Sequence, residues 1–162
     1  MPLRECAFPL ALALALAAAT AAGAEVAPRP GWQVIDTDMP FAALVDAVKA
    51  ATAAQGMNVV TEAGPTAAAA KLGVTLPGNR VIGVFHARYA IRILPLSTAA
   101  MIEAPIRFYV TEDADGTATL AWKEPGFVLA PYAAEGGADL AAVAAELDGV
   151  FAAIAAASTA PR

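Results

Sequence analysis

From Trp32 onward the chain changes its hydrophobic period several times, and each change predicts an element. Trp32 to Asp36 alternates, with Trp32, Val34 and Asp36 on one side and Gln33 and Ile35 on the other, the period of a strand. Thr37 or Asp38 then offers a helix N-cap, Pro40 suits a first turn, and Gly56 suits a stop. Between them Phe41, Leu44, Val45 and Val48 recur at three- and four-residue spacing, which predicts a helix with one face on a sheet. Met57 to Thr61 reads as the next strand.

Gly64 to Gly78 carries a weaker signal, because Pro65, Gly73, Pro77 and Gly78 punctuate a short alanine run; a helical turn or two around Ala67 to Leu72 is expected there. Val81 to Ala87 is the clearest strand. Val81, Gly83 and Phe85 point one way and Ile82, Val84 and His86 the other, and since both sides are largely apolar the strand is expected at the centre of a sheet or covered on both faces. Gly83 suggests close approach of another backbone. Tyr89 to Leu94 returns to helical spacing and stops near Pro95. Ile106 to Glu112 and Ala118 to Glu124 flank a polar loop containing Asp115-Gly116, a hairpin signature. Setting Val110 opposite Leu120 pairs Phe108 with Trp122 on one face and leaves Arg107, Tyr109 and Thr111 opposite Lys123, Ala121 and Thr119 on the other.

Gly126 to Gly137 reads as an irregular connection. Asp139 can cap a closing helix in which Leu140, Val143, Leu147, Val150, Phe151 and Ile154 form one stripe, with Ser158 to Arg162 fraying. The predicted order is strand, helix, two strands, short helix, two strands, long helix. Its economical packing is an α+β fold with helices on one face of a mostly antiparallel sheet.

The start of the chain has a different character. Arg4 precedes an apolar run from Ala7 to Ala19, and Ala22-Gly23-Ala24 offers a small-residue cleavage site, so residues 1–24 read as a signal peptide cut near Ala24/Glu25. The run is too short to span a bilayer, and no later segment reads as a span. Residues 25–38 are then a leader and the beginning of the first strand, and 39–157 a single domain of ordinary size. The expected location is periplasmic or secreted. Cys6, the only cysteine, lies inside the predicted signal peptide, which leaves the mature chain without disulfide or thiol chemistry.

Composition adds exclusions. A net charge of −5 without a basic run disfavours nucleic acid, where phosphate neutralisation supplies most of the affinity. One histidine and no mature cysteine leave no zinc cluster and no Ser-His-Asp set that spacing would pick out, and the glycines match no phosphate loop. No cofactor is called from sequence, and no catalytic residue.

Two groups of side chains remain as candidate ligand contacts. His86, Arg88, Tyr89 and Arg92 stand at a strand-to-helix junction; His86 there is either a metal or haem ligand or proton acceptor, or a structural imidazole bonded to backbone. Arg107 and Lys123, with Tyr109 beside them, share the polar side of the hairpin. Like charges in that position call for an anion, Glu103 or Glu124 to neutralise them, and otherwise form a solvated face. Tyr109, Trp122, Phe127 and Tyr132 could line a pocket, although Phe108 and Trp122 have the spacing of core.

The segments VIGVFHARYAIRIL, EAPIRFYVTEDADGTATLAW and ELDGVFAAIA resemble the domain-of-unknown-function 302 family in its secreted bacterial form, over roughly Met39 to Ala155. The resemblance implies a TBP-like sheet with β-α-β4-α order and a homodimer, and carries no established activity. Relatives look as though they place a cysteine after the proline equivalent to Pro105, where this chain has Ile106. The resulting expectation is a non-enzymatic single-domain protein that binds a small anionic ligand or a partner protein as a homodimer. The alternatives are a haem- or metal-holding redox accessory protein or enzyme that uses His86, and a structural envelope-assembly subunit.

Overall fold

A computed structural model describes residues 26–160, so the predicted signal peptide lies outside the described residues. The elements are β1 (Trp32–Pro40), α1 (Phe41–Ala54), β2 (Asn58–Ala63), α2 (Thr66–Lys71), β3 (Asn79–Phe85), α3 (Ala87–Ile93), β4 (Ile106–Glu112), β5 (Thr117–Lys123), α4 (Pro125–Leu129) and α5 (Ala133–Thr159). Two short 3-10 turns, Ala99–Glu103 and Ala130–Tyr132, join them. The five strands form one sheet in the order β1-β5-β4-β3-β2, with every pair antiparallel. This is the α+β architecture that the hydrophobic pattern predicts, in the β-α-β4-α order that the family resemblance implies.

The hairpin register is as expected: Val110 faces Leu120 and Phe108 faces Trp122. Extended through the neighbouring strands, that register sorts the sheet into two faces. Trp122, Phe108 and Ile82 form one rung of the helix-covered face, and Ile35, Leu120 and Val110 the next. Onto it α1 buries Leu44, Val45 and Val48, and α5 buries Leu140, Val143, Leu147, Phe151 and Ile154. Phe108 is fully buried, stacked on Phe151 at 4.8 Å between ring centroids and tilted against Trp122 at 5.6 Å.

Several local expectations are corrected. The first strand runs on to Pro40 instead of ending at Asp36, because the Thr37 hydroxyl donates to the Ala118 carbonyl on β5 at 2.6 Å and is not spent on capping α1. Pro40 occupies the N-cap with no side-chain bond. β3 is next to the edge strand, not central; β4 holds the centre. Its second face is also only partly covered, with Val81 and Phe85 half-buried. Ser158 does not fray: it is buried, and its hydroxyl donates to the Ile154 carbonyl at 2.6 Å.

The stretch expected to be an irregular connection is α4, a 3-10 turn and the first turn of α5, which breaks at Gly137 (φ 54°). Asp148, 22 residues away, organises it by accepting a 2.9 Å hydrogen bond from the Gly126 N–H. Burial raises the Asp148 carboxyl above its ordinary value, partly offset by that backbone bond, with Glu124 raising it further. A raised carboxyl means that the ionised form costs stability above the folded pKa, and the cost fades as pH falls through it. Asp148→Asn keeps an acceptor and removes the charge, so its melting temperature at pH 7 should exceed that of the wild type, with the gap closing in acid. A lower melting temperature at pH 7 would show that the charge itself is needed. The run Pro125–Thr159 is apolar enough by length and mean hydropathy (1.8) to cross a bilayer, but its α5 stripe lies in the sheet core.

Candidate functional site

Antiparallel pairing brings to one end of the sheet the start of β1, the end of β3, the start of β4 and the end of β5. All the candidate ligand contacts gather at or near that end, divided between the two faces. His86, Arg88, Tyr89 and Arg92 lie on the helix-covered side; Arg107, Tyr109 and Lys123 lie on the open side.

On the helix-covered side the structure gives His86 a local task. It is the N-cap of α3, and its Nδ1 accepts the Arg88 backbone N–H at 3.0 Å. The Arg88 guanidinium lies over the Tyr89 ring, 4.8 Å from its centroid, and donates to the Tyr89 hydroxyl at 3.4 Å. Arg92 makes a bidentate pair with Glu146 of α5, at 2.5 and 2.7 Å, which holds the Glu146 carboxyl below its usual range. Both partners are exposed, so the pair orients α3 on α5 more than it stabilises the fold. The cavity beside His86 measures about 40 Å³ and is walled by apolar side chains including Val84, Ile93 and Leu147. That volume suits a water molecule or two. Among the described residues, no group of three or more His, Cys, Asp and Glu converges as a metal site would require.

The open face has a graded composition. Trp32 pairs with Lys123, and Arg107 with Gly83, which pairs in turn with Thr61, so one rung carries an indole and two cations. The next rung is Val34, Ala121, Tyr109, Val81 and Ala63, mostly apolar. The third is Asp36, Thr119, Thr111 and Asn79, where the Thr119 hydroxyl is shared between Asp36 and Asp113 at 3.1 and 2.9 Å. Negative charge is thus placed at the far end of β5. Lys123 lies four positions beyond Thr119, about 13 Å of strand, which exceeds the roughly 8 Å screening length at physiological salt.

Neither carboxylate expected to neutralise the cations does so. Glu124 accepts from the Gln33 amide at 2.6 Å, and Glu103 accepts from the Tyr132 hydroxyl at 2.8 Å, a bond that raises the Tyr132 pKa. Among the described residues Arg107 and Lys123 make no ion pair. Lys123 instead lies 5.6 Å from the centroid of the Trp32 ring, and Arg29 lies 5.3 Å from it. The Asn79 amide donates to the Tyr109 hydroxyl, which fixes that ring on the same face.

Trp32 and Arg29 are the contributions that sequence reasoning missed. Trp32 reads there only as a strand residue on the side of Val34 and Asp36, and nothing local shows that β1 pairs with β5, 91 positions away at Trp32–Lys123. Of the other aromatics proposed as pocket lining, Trp122 is mostly buried in the core but also lines the cleft beside Arg107 and Lys123, and Phe127 is largely exposed beside Gly31.

A five-stranded antiparallel sheet with its helices on one face, and a cationic, aromatic rung on the other, defines a small α+β domain with one open sheet surface. The match of residues 33–154 to the family model described as "Domain of unknown function DUF302" shows that the chain belongs to that family. A solved relative in structure, an uncharacterized conserved DUF302 protein from Bacillus stearothermophilus, superimposes with a TM-score of 0.67 at 15% sequence identity, covering 78% of this chain and 96% of that one. At that identity the likeness speaks for the fold. Comparison with curated proteins returns no match.

Proposed function

We propose that this protein is a binding module for a small anion, held on the open sheet face by Arg107 and Lys123. The observation that carries the reading is that these two cations, brought together by strand pairing, have no carboxylate partner among the described residues, in a chain whose net charge is −5. Surface cations in an acidic protein ordinarily find counter-charges, and like charges side by side on a sheet disfavour the pairing unless something neutralises them. The reading that makes His86 a metal or haem ligand has weaker support, since one imidazole nitrogen caps α3 and the adjoining cavity is small.

The same proposal has the chain exported to the periplasm or beyond, starting near Glu25, and acting as a homodimer. Exposed Val60 on the edge strand β2, with Leu72, Val74 and Leu76 in the segment after α2, supports self-association, since monomers rarely leave large apolar patches in water. Native mass spectrometry of protein recovered from the envelope fraction of its own host reads start site, oligomer and ligand together. The expected species is a dimer of chains beginning near Glu25 with a small organic or inorganic anion bound. A stoichiometric protein partner with no small molecule would favour an assembly subunit instead and overturn the binding-module reading.

A further inference from the structure

Resting on that anion-binding reading, the surroundings of Arg107 and Lys123 say more about the ligand. At the end of the sheet beside them, where the open face meets the helix layer, lies a cleft of about 400 Å³, within the roughly 300–1,000 Å³ that small-molecule sites occupy. Its walls are largely apolar: Val81 and Ile106 from neighbouring strands, Val128 from α4, and the rings of Trp32 and Tyr109. An inorganic anion would gain nothing from such walls, whereas burying carbon against them adds about 25 cal/mol for each Å² removed from water.

Charge narrows the class further. Glu103 also lines the cleft. Its carboxylate is bonded to the Tyr132 hydroxyl and forms no ion pair with either cation, so it adds a fixed negative charge beside the ligand. A second charge on the ligand would meet that carboxylate, which favours a monoanion over a phosphate dianion. Arg107 offers a planar fork that matches the two oxygens of a carboxylate, and Lys123, lying against the Trp32 ring, offers a single point charge.

We infer that the ligand is a monocarboxylate with a flat apolar body. Its carboxylate lies between Arg107 and Lys123, and its body lies against Val81, Ile106, Val128 and the two aromatic rings. Trp32 and Tyr109 are already held, by the Lys123 contact and the Asn79 hydrogen bond, so little ordering is left for the ligand to impose.

Calorimetric titration of the exported chain with three probes separates the possibilities: naphthoate, the uncharged naphthol, and inorganic phosphate. The expected result is binding of naphthoate, with naphthol and phosphate weaker by at least about tenfold, and loss of about tenfold in naphthoate affinity in Arg107→Gln and in Lys123→Gln. Val81→Thr, which keeps the shape of the side chain and makes the wall polar, should weaken naphthoate and leave phosphate unchanged. If phosphate binds as tightly as naphthoate and the two charge variants abolish both, the monocarboxylate inference falls while the anion-binding reading stands. If naphthoate affinity is unchanged in Arg107→Gln and Lys123→Gln, both fall. Both also fall if those variants bind nothing and convert a dimer to a monomer, since the acidic rung of a second copy is then what neutralises the cations.

Discussion

Phe108→Ala is expected to cost about 3–5 kcal/mol of folding free energy, the largest loss of any single change considered, read as a fall in melting temperature on the order of 10 °C. Phe108 lies on the central strand, is fully buried, and fills the space between Trp122 of β5 and Phe151 of α5. Truncation removes the transfer energy of the ring and leaves a cavity that no neighbour can close: Trp122 is pinned by its own strand, and Phe151 by α5 packing against both α1 and the sheet. The control is Tyr109→Ala, one residue along on the open face, where the ring is half-buried. That change should cost markedly less stability in the same denaturation experiment while weakening any ligand on that face. Equal losses at the two positions would mean that the open face is as tightly packed as the core.

What could be read from the chain alone follows from how local each interaction is. The β4–β5 hairpin turns at Asp115-Gly116, and its two strands alternate in step, so the turn and the pattern together specify the register down to Phe108 opposite Trp122. The α1 stripe was equally legible, because every residue that defines it lies within two turns of the next. The start of α1 was not, since the Thr37 hydroxyl had a choice between capping the helix and bonding Ala118 across the sheet, and only the pairing of β1 with β5 decides it. The same non-local pairing hid Trp32 from the candidate site and kept Arg107 and Lys123 as a pair without their aromatic neighbour. α4 was missed because its capping acceptor, Asp148, comes from a distant helix. On the helix-covered side the sequence places His86, Arg88 and Arg92 at one strand-to-helix junction. It did not show that the cap at Arg88 N–H engages the first of them and Glu146 the last.

Gly83 carries the second large prediction, and its role differs from the close backbone approach that its position in an apolar strand suggests. Its backbone is ordinary strand, so conformation does not demand glycine; space does. A Cβ there would collide with Thr61 Oγ1 on β2 and stand 2.8 Å from Cγ of Pro105. Both obstacles are side chains on the open face, one on each flanking segment. Gly83→Ala should therefore cost about 1–3 kcal/mol as an overpacking change. Thr61 is exposed on the edge strand and can turn its hydroxyl away, but the Pro105 ring is closed onto the backbone and can move its Cγ only by a change of pucker, which leaves Cβ in place. Adding Thr61→Ala to Gly83→Ala should then recover only part of the lost stability in urea denaturation, the remainder marking the Pro105 contact. Because Pro105 leads directly into Ile106 and Arg107, displacing it moves the cation and one wall of the cleft together. Gly83→Ala should consequently lose anion affinity even under conditions where it is fully folded. Full recovery of both stability and affinity in the double variant would place the whole obstruction at Thr61 and leave Pro105 without a part in positioning Arg107.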